Sequence, residues 1–167
     1  MEGIKELSEV FPAYNVNIIP LQDLKEETQW NEPVLHLKSF CSMCGEGKII
    51  TGGPFGRAFK RYLAERGPLH HRFRIICCQT PLRAIGEYAD FRDFAYHSYD
   101  VIHVPDAAAA NCLYINGTII RRATDEFPES GKVFETHESL CLENQIELEY
   151  DELAKVDGAL TCCSLLI

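Results

Sequence analysis

Two adjacent thiols, Cys162 and Cys163, stand in the closing stretch GALTCCSLLI, residues 158–167. A thiolate is the strongest nucleophile that side chains offer near neutral pH, and it forms there only when a base or a positive charge stands close by. The run Leu160, Leu165, Leu166 and Ile167 reads as a strand. Neighbouring side chains on a strand point to opposite faces, so at most one of the two sulfurs packs into a core on a given side.

A base or acid for such a thiol would be a histidine, and there are six. His70 and His71 lie in a basic, surface-like stretch, His137 falls on the apolar face of an expected helix, and His97 and His103 flank a short strand. His36 sits between leucines in VLHLKSFCSM, which reads as a strand with Leu35, Leu37 and Ser39 on one side and His36, Lys38 and Phe40 on the other. These patterns alone leave His36 open between a structural and a catalytic role. Each thiol of the pair is likewise inert until its surroundings lower its pKa.

The remaining cysteines are Cys41, Cys44, Cys77, Cys78, Cys112 and Cys141. Cys41-Ser42-Met43-Cys44 has the C-x-x-C form, but no second pair of that form or histidine at finger spacing follows, and no clear helix start follows it as in thioredoxin-type motifs. Two half-buried thiols at a strand end are the expectation.

The elements that must position these groups follow from periodicity. IKELSEVF has helical spacing and NVNIIP reads as a strand; residues 21–33 form a polar loop. KIITGG is a short strand, and PFGRAFKRYLAERG a helix with Gly67 where its C-cap would sit. Residues 68–79 read as a strand, 81–96 as a helix and YDVIHVP as a strand. NCLYINGTIIRR is a hairpin, because Asn116-Gly117 most readily supplies the two positive φ angles of a type I′ turn. DEFPESGKVFETHESL then reads as a helix with Pro128 in its first turn, and QIELEY and ALTCCSLLI as strands. The order is strand pair, helix, strand, then strand pair, helix, strand, strand, which resembles two copies of a β-β-α-β unit in an α/β chain.

The 167 residues have room for one domain with a sizeable core, and 46% hydrophobic with 25% charged residues is ordinary for a globular chain. A net charge of −9 and a sequence pI near 5.1 argue against nucleic acid and suit a cationic partner. No run approaches the roughly 18–20 apolar residues that cross a bilayer. The N-terminus lacks signal-peptide character, so a cytoplasmic location is expected, with thiols rather than disulfides. G-x-G-x-x-G and Walker A patterns are absent, so nucleotide binding has no support.

LHLKSFCSM (35–43), VPDAAAANCLYIN (104–116), EFPESGKV (126–133) and KVDGALTCCSLLI (155–167) together resemble, in that order, the dimethylarginine dimethylaminohydrolases. LSEVFPAYNVNIIPL resembles the same family's approach to its histidine block. The resemblance implies a pentein-type α/β propeller of β-β-α-β blades, here incomplete with about two blades, so that residues 1–167 form a single domain equivalent to the C-terminal part of the propeller. Residues 24–33 and 53–79 look like insertions relative to the family. It implies hydrolysis of methylated arginine to citrulline and a methylamine, with Cys162 as nucleophile, His36 as general acid and base, and Val156 contacting substrate through its backbone. Cys163 would be the neighbour that turns toward packing. No cofactor is implied; zinc would act at the Cys162 thiolate as an inhibitor. The family's acidic and arginine substrate contacts lie mainly upstream of the histidine block, so this chain is expected to lack them. Two other readings are a catalytically silent pentein fragment that binds partners, and an arginine deiminase-like hydrolase.

Overall fold

The structure is a computed structural model that describes residues 36–65 and 99–164, together with Glu6, Glu9 and Val10. Glycine-bearing turns make the first element. Strands β1 (Cys41–Gly45) and β2 (Lys48–Gly52) pair antiparallel around Glu46-Gly47, where Gly47 takes φ 65°. That left-handed conformation costs a side-chain-bearing residue energy and glycine almost none. Helix α1 (Gly53–Glu65) begins directly after β2, and strand β3 (Asp100–Val104) pairs parallel to β2.

The same plan recurs. Strands β4 (Leu113–Ile115) and β5 (Thr118–Arg122) form a hairpin with Asn116 at φ 50° and Gly117 at φ 76°, as the type I′ expectation requires. Helix α2 (Pro128–Thr136) follows with Pro128 in its first turn, and strand β6 (Asn144–Leu148) pairs parallel to β5. The described residues thus hold two three-stranded sheets with the same strand order and the same antiparallel-then-parallel pairing, in keeping with the β-β-α-β units expected from the sequence.

The repeat extends to side chains. Gly56-Arg57-Ala58-Phe59 begins at the fourth residue of α1, and Gly131-Lys132-Val133-Phe134 at the fourth residue of α2. Each glycine faces a close neighbour: a Cβ on Gly56 would lie 2.9 Å from the Thr51 carbonyl carbon, and one on Gly131 would lie 2.6 Å from Thr124 Cγ2. Each phenylalanine is a core anchor. Phe59 packs with Phe40, Ile49, Phe55 and Leu63 on one face of the first sheet. Phe134 joins Ile50, Ile102 and Val104 on the other face to Ile119 of the second sheet. Burying an aromatic side chain of this kind stabilises by about 1.5–3 kcal/mol relative to leaving it exposed.

Several expectations change. His36 is not on a strand: Leu37–Ser39 form a 3-10 turn, with Ser39 N donating to His36 O at 3.0 Å and Phe40 N to Leu37 O at 3.2 Å. ALTCCSLLI is not a strand over its described part: residues 160–163 form a turn, with Cys163 N donating to Ala159 O at 3.1 Å, and a short helix α3 (Asp151–Ala154) precedes it. Residues 53–65 form α1, in keeping with the helix expected in PFGRAFKRYLAERG. The elements placed in 11–35 and 68–96, the Gly67 cap, the remainder of the expected insertions at 24–33 and 66–79, and His70, His71 and His97 lie outside the described residues. Among the described residues no helix is long and apolar enough to cross a membrane.

Candidate active site

Asn111 joins the two segments that carry the candidate nucleophile and the candidate acid. It stands at the entry to β4, where the apolar residues Ala109, Ala110 and Cys112 pull the backbone inward and leave its amide 5% exposed. A buried amide must find partners. Its Nδ2 donates to Lys38 O at 2.8 Å and to Thr161 Oγ1 at 2.9 Å, and its Oδ1 accepts from Thr161 N at 3.0 Å. Lys38 is two residues from His36, and Thr161 is bonded to Cys162. One side chain therefore ties the histidine turn to the cysteine turn.

The cysteine turn is pinned from below by Leu160 and Thr161, 3% and 9% exposed, and this turns both sulfurs outward. Cys162 is held locally: Ala159 N–H points at its Sγ at 3.1 Å, and the thiol donates to Ala159 O at 3.3 Å. Cys163 does not turn toward packing as the resemblance implied. It is exposed and lines one cleft together with Tyr150. The Tyr150 contact is the main cause that holds the Cys163 thiol below its ordinary range. Burial, followed by the Cys163 contact, pushes Tyr150 up to about 12. The Tyr150 hydroxyl donates to Ala159 O at 3.2 Å.

His36 is exposed, and its carbonyl begins the 3-10 turn. Val156 is 74% exposed in the turn after α3, and its N–H donates to Leu153 O at 3.1 Å. Its carbonyl is thus the backbone group left to meet a ligand. Beside Cys163 a cleft of about 380 Å³ opens over the second sheet, lined by Leu113, Ile120, Leu148, Tyr150 and Leu160 among others.

The C-x-x-C pair is structural. Cys41 and Cys44 are both buried in β1, one in each core cluster, and burial pushes the Cys44 thiol up to about 12. His103, on β3, is held below its ordinary range by burial and by Arg57 and Lys60, which keeps it neutral. His137 closes α2 as its C-cap. Among the described residues no group of three or more His, Cys, Asp or Glu side chains converges on one point.

Sequence reasoning missed Asn111, Thr161 and Tyr150. The signal for Asn111 was available: an amide embedded in an apolar run at a strand entry must be buried and therefore bonded. Tyr150 carried no such signal, because it meets Cys163 only through the tertiary fold.

No protein-family model matches the chain. Among solved structures it is similar to a dimethylarginine dimethylaminohydrolase in adduct with 4-chloro-2-hydroxymethylpyridine, at 20% identity and TM-score 0.43, over 81% of this chain and 39% of that one. It is similar to the same type of enzyme in adduct with S-methyl-L-thiocitrulline, at 20% identity and TM-score 0.45, over 81% and 38%. A third is a Pseudomonas aeruginosa enzyme of this type, a cysteine variant complexed with citrulline, at 21% identity and TM-score 0.41, over 78% and 36%. The chain spans under two fifths of the length of each.

Proposed function

We propose that the chain carries the thiol and the imidazole of a pentein-type amidinohydrolase that converts N(G),N(G)-dimethylarginine, or the monomethyl compound, to citrulline and dimethylamine or methylamine. The Asn111 clamp supports this reading best. A buried side chain spends its bonding capacity on holding the Lys38 and Thr161 segments together, the two blocks that resemble the family's histidine and cysteine motifs.

Cys162 attacks the guanidinium carbon as the thiolate, which the positive charge of the substrate favours. His36 protonates the departing amine, leaving an S-alkylthiouronium on the sulfur. Water then attacks the same carbon with His36 as base, and citrulline leaves as the thiol reforms. An imidazole can give a proton in one step and take one in the next. The Val156 carbonyl is the group assigned to the substrate, and a net charge of −9 favours the approach of a cation. Zinc at the Cys162 thiolate would cap the nucleophile and inhibit.

Citrulline release by the purified full chain tests the proposal. C162S and H36A should each lower kcat by at least about 10³-fold, while C163S retains turnover. Undiminished activity in C162S overturns the nucleophile assignment. Turnover of arginine in preference to dimethylarginine replaces the reading with a deiminase-type one. A natively folded chain that hydrolyses neither supports the binding-fragment reading instead. Loss of activity on adding a chelator overturns the inhibitory role of zinc.

A further inference from the structure

The two β-β-α-β units carry the same apolar face in the same register. In the first sheet Ile50 pairs with Ile102 and Gly52 with Val104. In the second Ile120 pairs with Ile146 and Arg122 with Leu148. Side chains alternate along a strand, and Ile49 and Ile119 pack with the phenylalanines of α1 and α2. Ile50 and Ile120 therefore lie on the side of each sheet that faces away from its own helix, with their partners on β3 and β6.

The cover over these two faces differs. Ile50, Ile102 and Val104 are almost fully buried, closed by Ile119 and by Phe134 of α2. Their counterparts on β6, Ile146 and Leu148, are 49% and 41% exposed. Ile120 and Leu148 line an open cleft with Leu113 and Ile115. Leu142 before β6, and Leu153 and Val156 after it, are exposed as well, so among the described residues every exposed large apolar side chain except Val10 falls in residues 142–156. A contiguous patch of this kind marks a surface on which another chain docks.

The fold itself shows what kind of surface fits. Over the first sheet the cover is the helix-bearing side of another β-β-α-β unit, and α1 is the repeat counterpart of the helix that provides it. Arg57, Lys60 and Arg61 are exposed on α1, where Glu65 is the one acidic residue. Residues 143–152 hold Glu143, Glu147, Glu149, Asp151 and Glu152 and no basic residue. The contact between the units within the chain likewise sets polar ties around an apolar centre: Lys48 Nζ meets Glu143 Oε1 at 2.5 Å, and Ser139 Oγ donates to Asp100 Oδ2 at 2.5 Å. Opposite charges around an apolar patch speed encounter and fix orientation.

We propose that the open face of the second unit, centred on Ile120, Ile146 and Leu148, binds the α1 side of a second copy of this chain. The contact is head to tail and repeats between chains the packing that joins the two units within one. It uses different patches on its two partners, so it closes into a ring or extends from chain to chain. Cys163 lines the same cleft, so association slows alkylation of its thiol. No step of the proposed hydrolysis is needed for this binding.

Sedimentation velocity of the purified, reduced full chain tests the contact. Over a rising concentration series the parent should form species larger than one chain. I146E and L148E should each weaken association at least about tenfold, the worth of one buried apolar side chain. R57E/K60E should weaken it too, as should added salt. Mixing decides the orientation. The I146E chain keeps its α1 side and the R57E/K60E chain keeps its open face, so an equimolar mixture should give a one-to-one complex that neither variant forms alone. A parent that stays monomeric at every concentration overturns the proposal, as does association undiminished in I146E or a mixture that fails to pair. Association lost in I146E but untouched in R57E/K60E is face to face, and overturns the head-to-tail contact. Ile146 is half exposed, so dilute I146E should unfold at the dilute parent's urea midpoint, which separates loss of the contact from loss of the fold. A monomeric parent whose midpoint falls in I146E instead assigns the cover to other residues of the same chain.

Discussion

Replacing Asn111 with alanine should loosen the join between the histidine and cysteine turns. The substitution removes three hydrogen bonds, to Lys38 O, Thr161 Oγ1 and Thr161 N. The Thr161 hydroxyl can turn to another partner, but the Lys38 carbonyl and the Thr161 amide lose theirs at a site where Asn111 is 5% exposed. A buried polar group left without a partner costs about 1–3 kcal/mol, so two such groups amount to roughly 2–6 kcal/mol. In a domain of this size that lowers Tm by about 4–24 °C. The assay is urea unfolding of parent and N111A, with alkylation rates of Cys162 and Cys163 measured below the transition. Both thiols should react faster in N111A, because the turn that carries them is no longer anchored. N111D separates the two roles of the amide: it keeps the acceptor for Thr161 N–H and loses the donor to Lys38 O. Its carboxyl, buried against a carbonyl, has a folded pKa above the unfolded value of about 3.9. Its stability should therefore recover as pH falls through that folded pKa. A loss under 0.5 kcal/mol in N111A, or a large loss with unchanged thiol reactivity, would refute the clamp.

Other consequences can be checked alongside. Replacing Tyr150 with phenylalanine removes the main cause of the lowered Cys163 pKa, so the pH midpoint of Cys163 alkylation should rise; an unmoved midpoint would show that the hydroxyl does not act on this sulfur. Burial opposes the charge on Glu126, but hydrogen bonds led by Arg122 and by the Tyr150 backbone outweigh it, and Glu147 is held down first by the Thr124 backbone N–H. Both carboxyls thus have folded pKa values below their unfolded value of about 4.3, so their stabilisation is complete above that pH and is lost as pH falls through the folded values. Urea midpoints should stay level near neutrality and drop in acid, with a shallower drop in E126Q and E147Q. Gly56→Ala should cost about 1–3 kcal/mol in urea unfolding, since the new Cβ would meet backbone at Thr51 that cannot swing away; a neutral effect would show that α1 shifts freely against β2.

The β-β-α-β order was legible because each of its signals is local. Asn116-Gly117 favours its turn whatever surrounds it, Pro128 opens a helix through its fixed φ, and Ile49-Ile50 and Ile119-Ile120 anchor the central strands of the two sheets. The two turns of the candidate site were misread for the opposite reason. LHLKS and LTCCS have the short apolar pattern of a strand, and nothing within either segment says that its backbone groups will bond elsewhere. The Lys38 carbonyl and the Thr161 amide are taken by Asn111, which lies 73 residues from one and 50 from the other.

By itself, then, the sequence supplied the paired thiols, a histidine flanked by leucines, and two repeats of one supersecondary unit. Tertiary structure decided how the thiols face and which phenol touches them. Side-chain identity and local backbone preference are properties of a few neighbouring residues. The direction of a sulfur and the charge it can carry depend on partners that folding brings from distant parts of the chain, as Tyr150 is brought to Cys163 and Asn111 to Thr161.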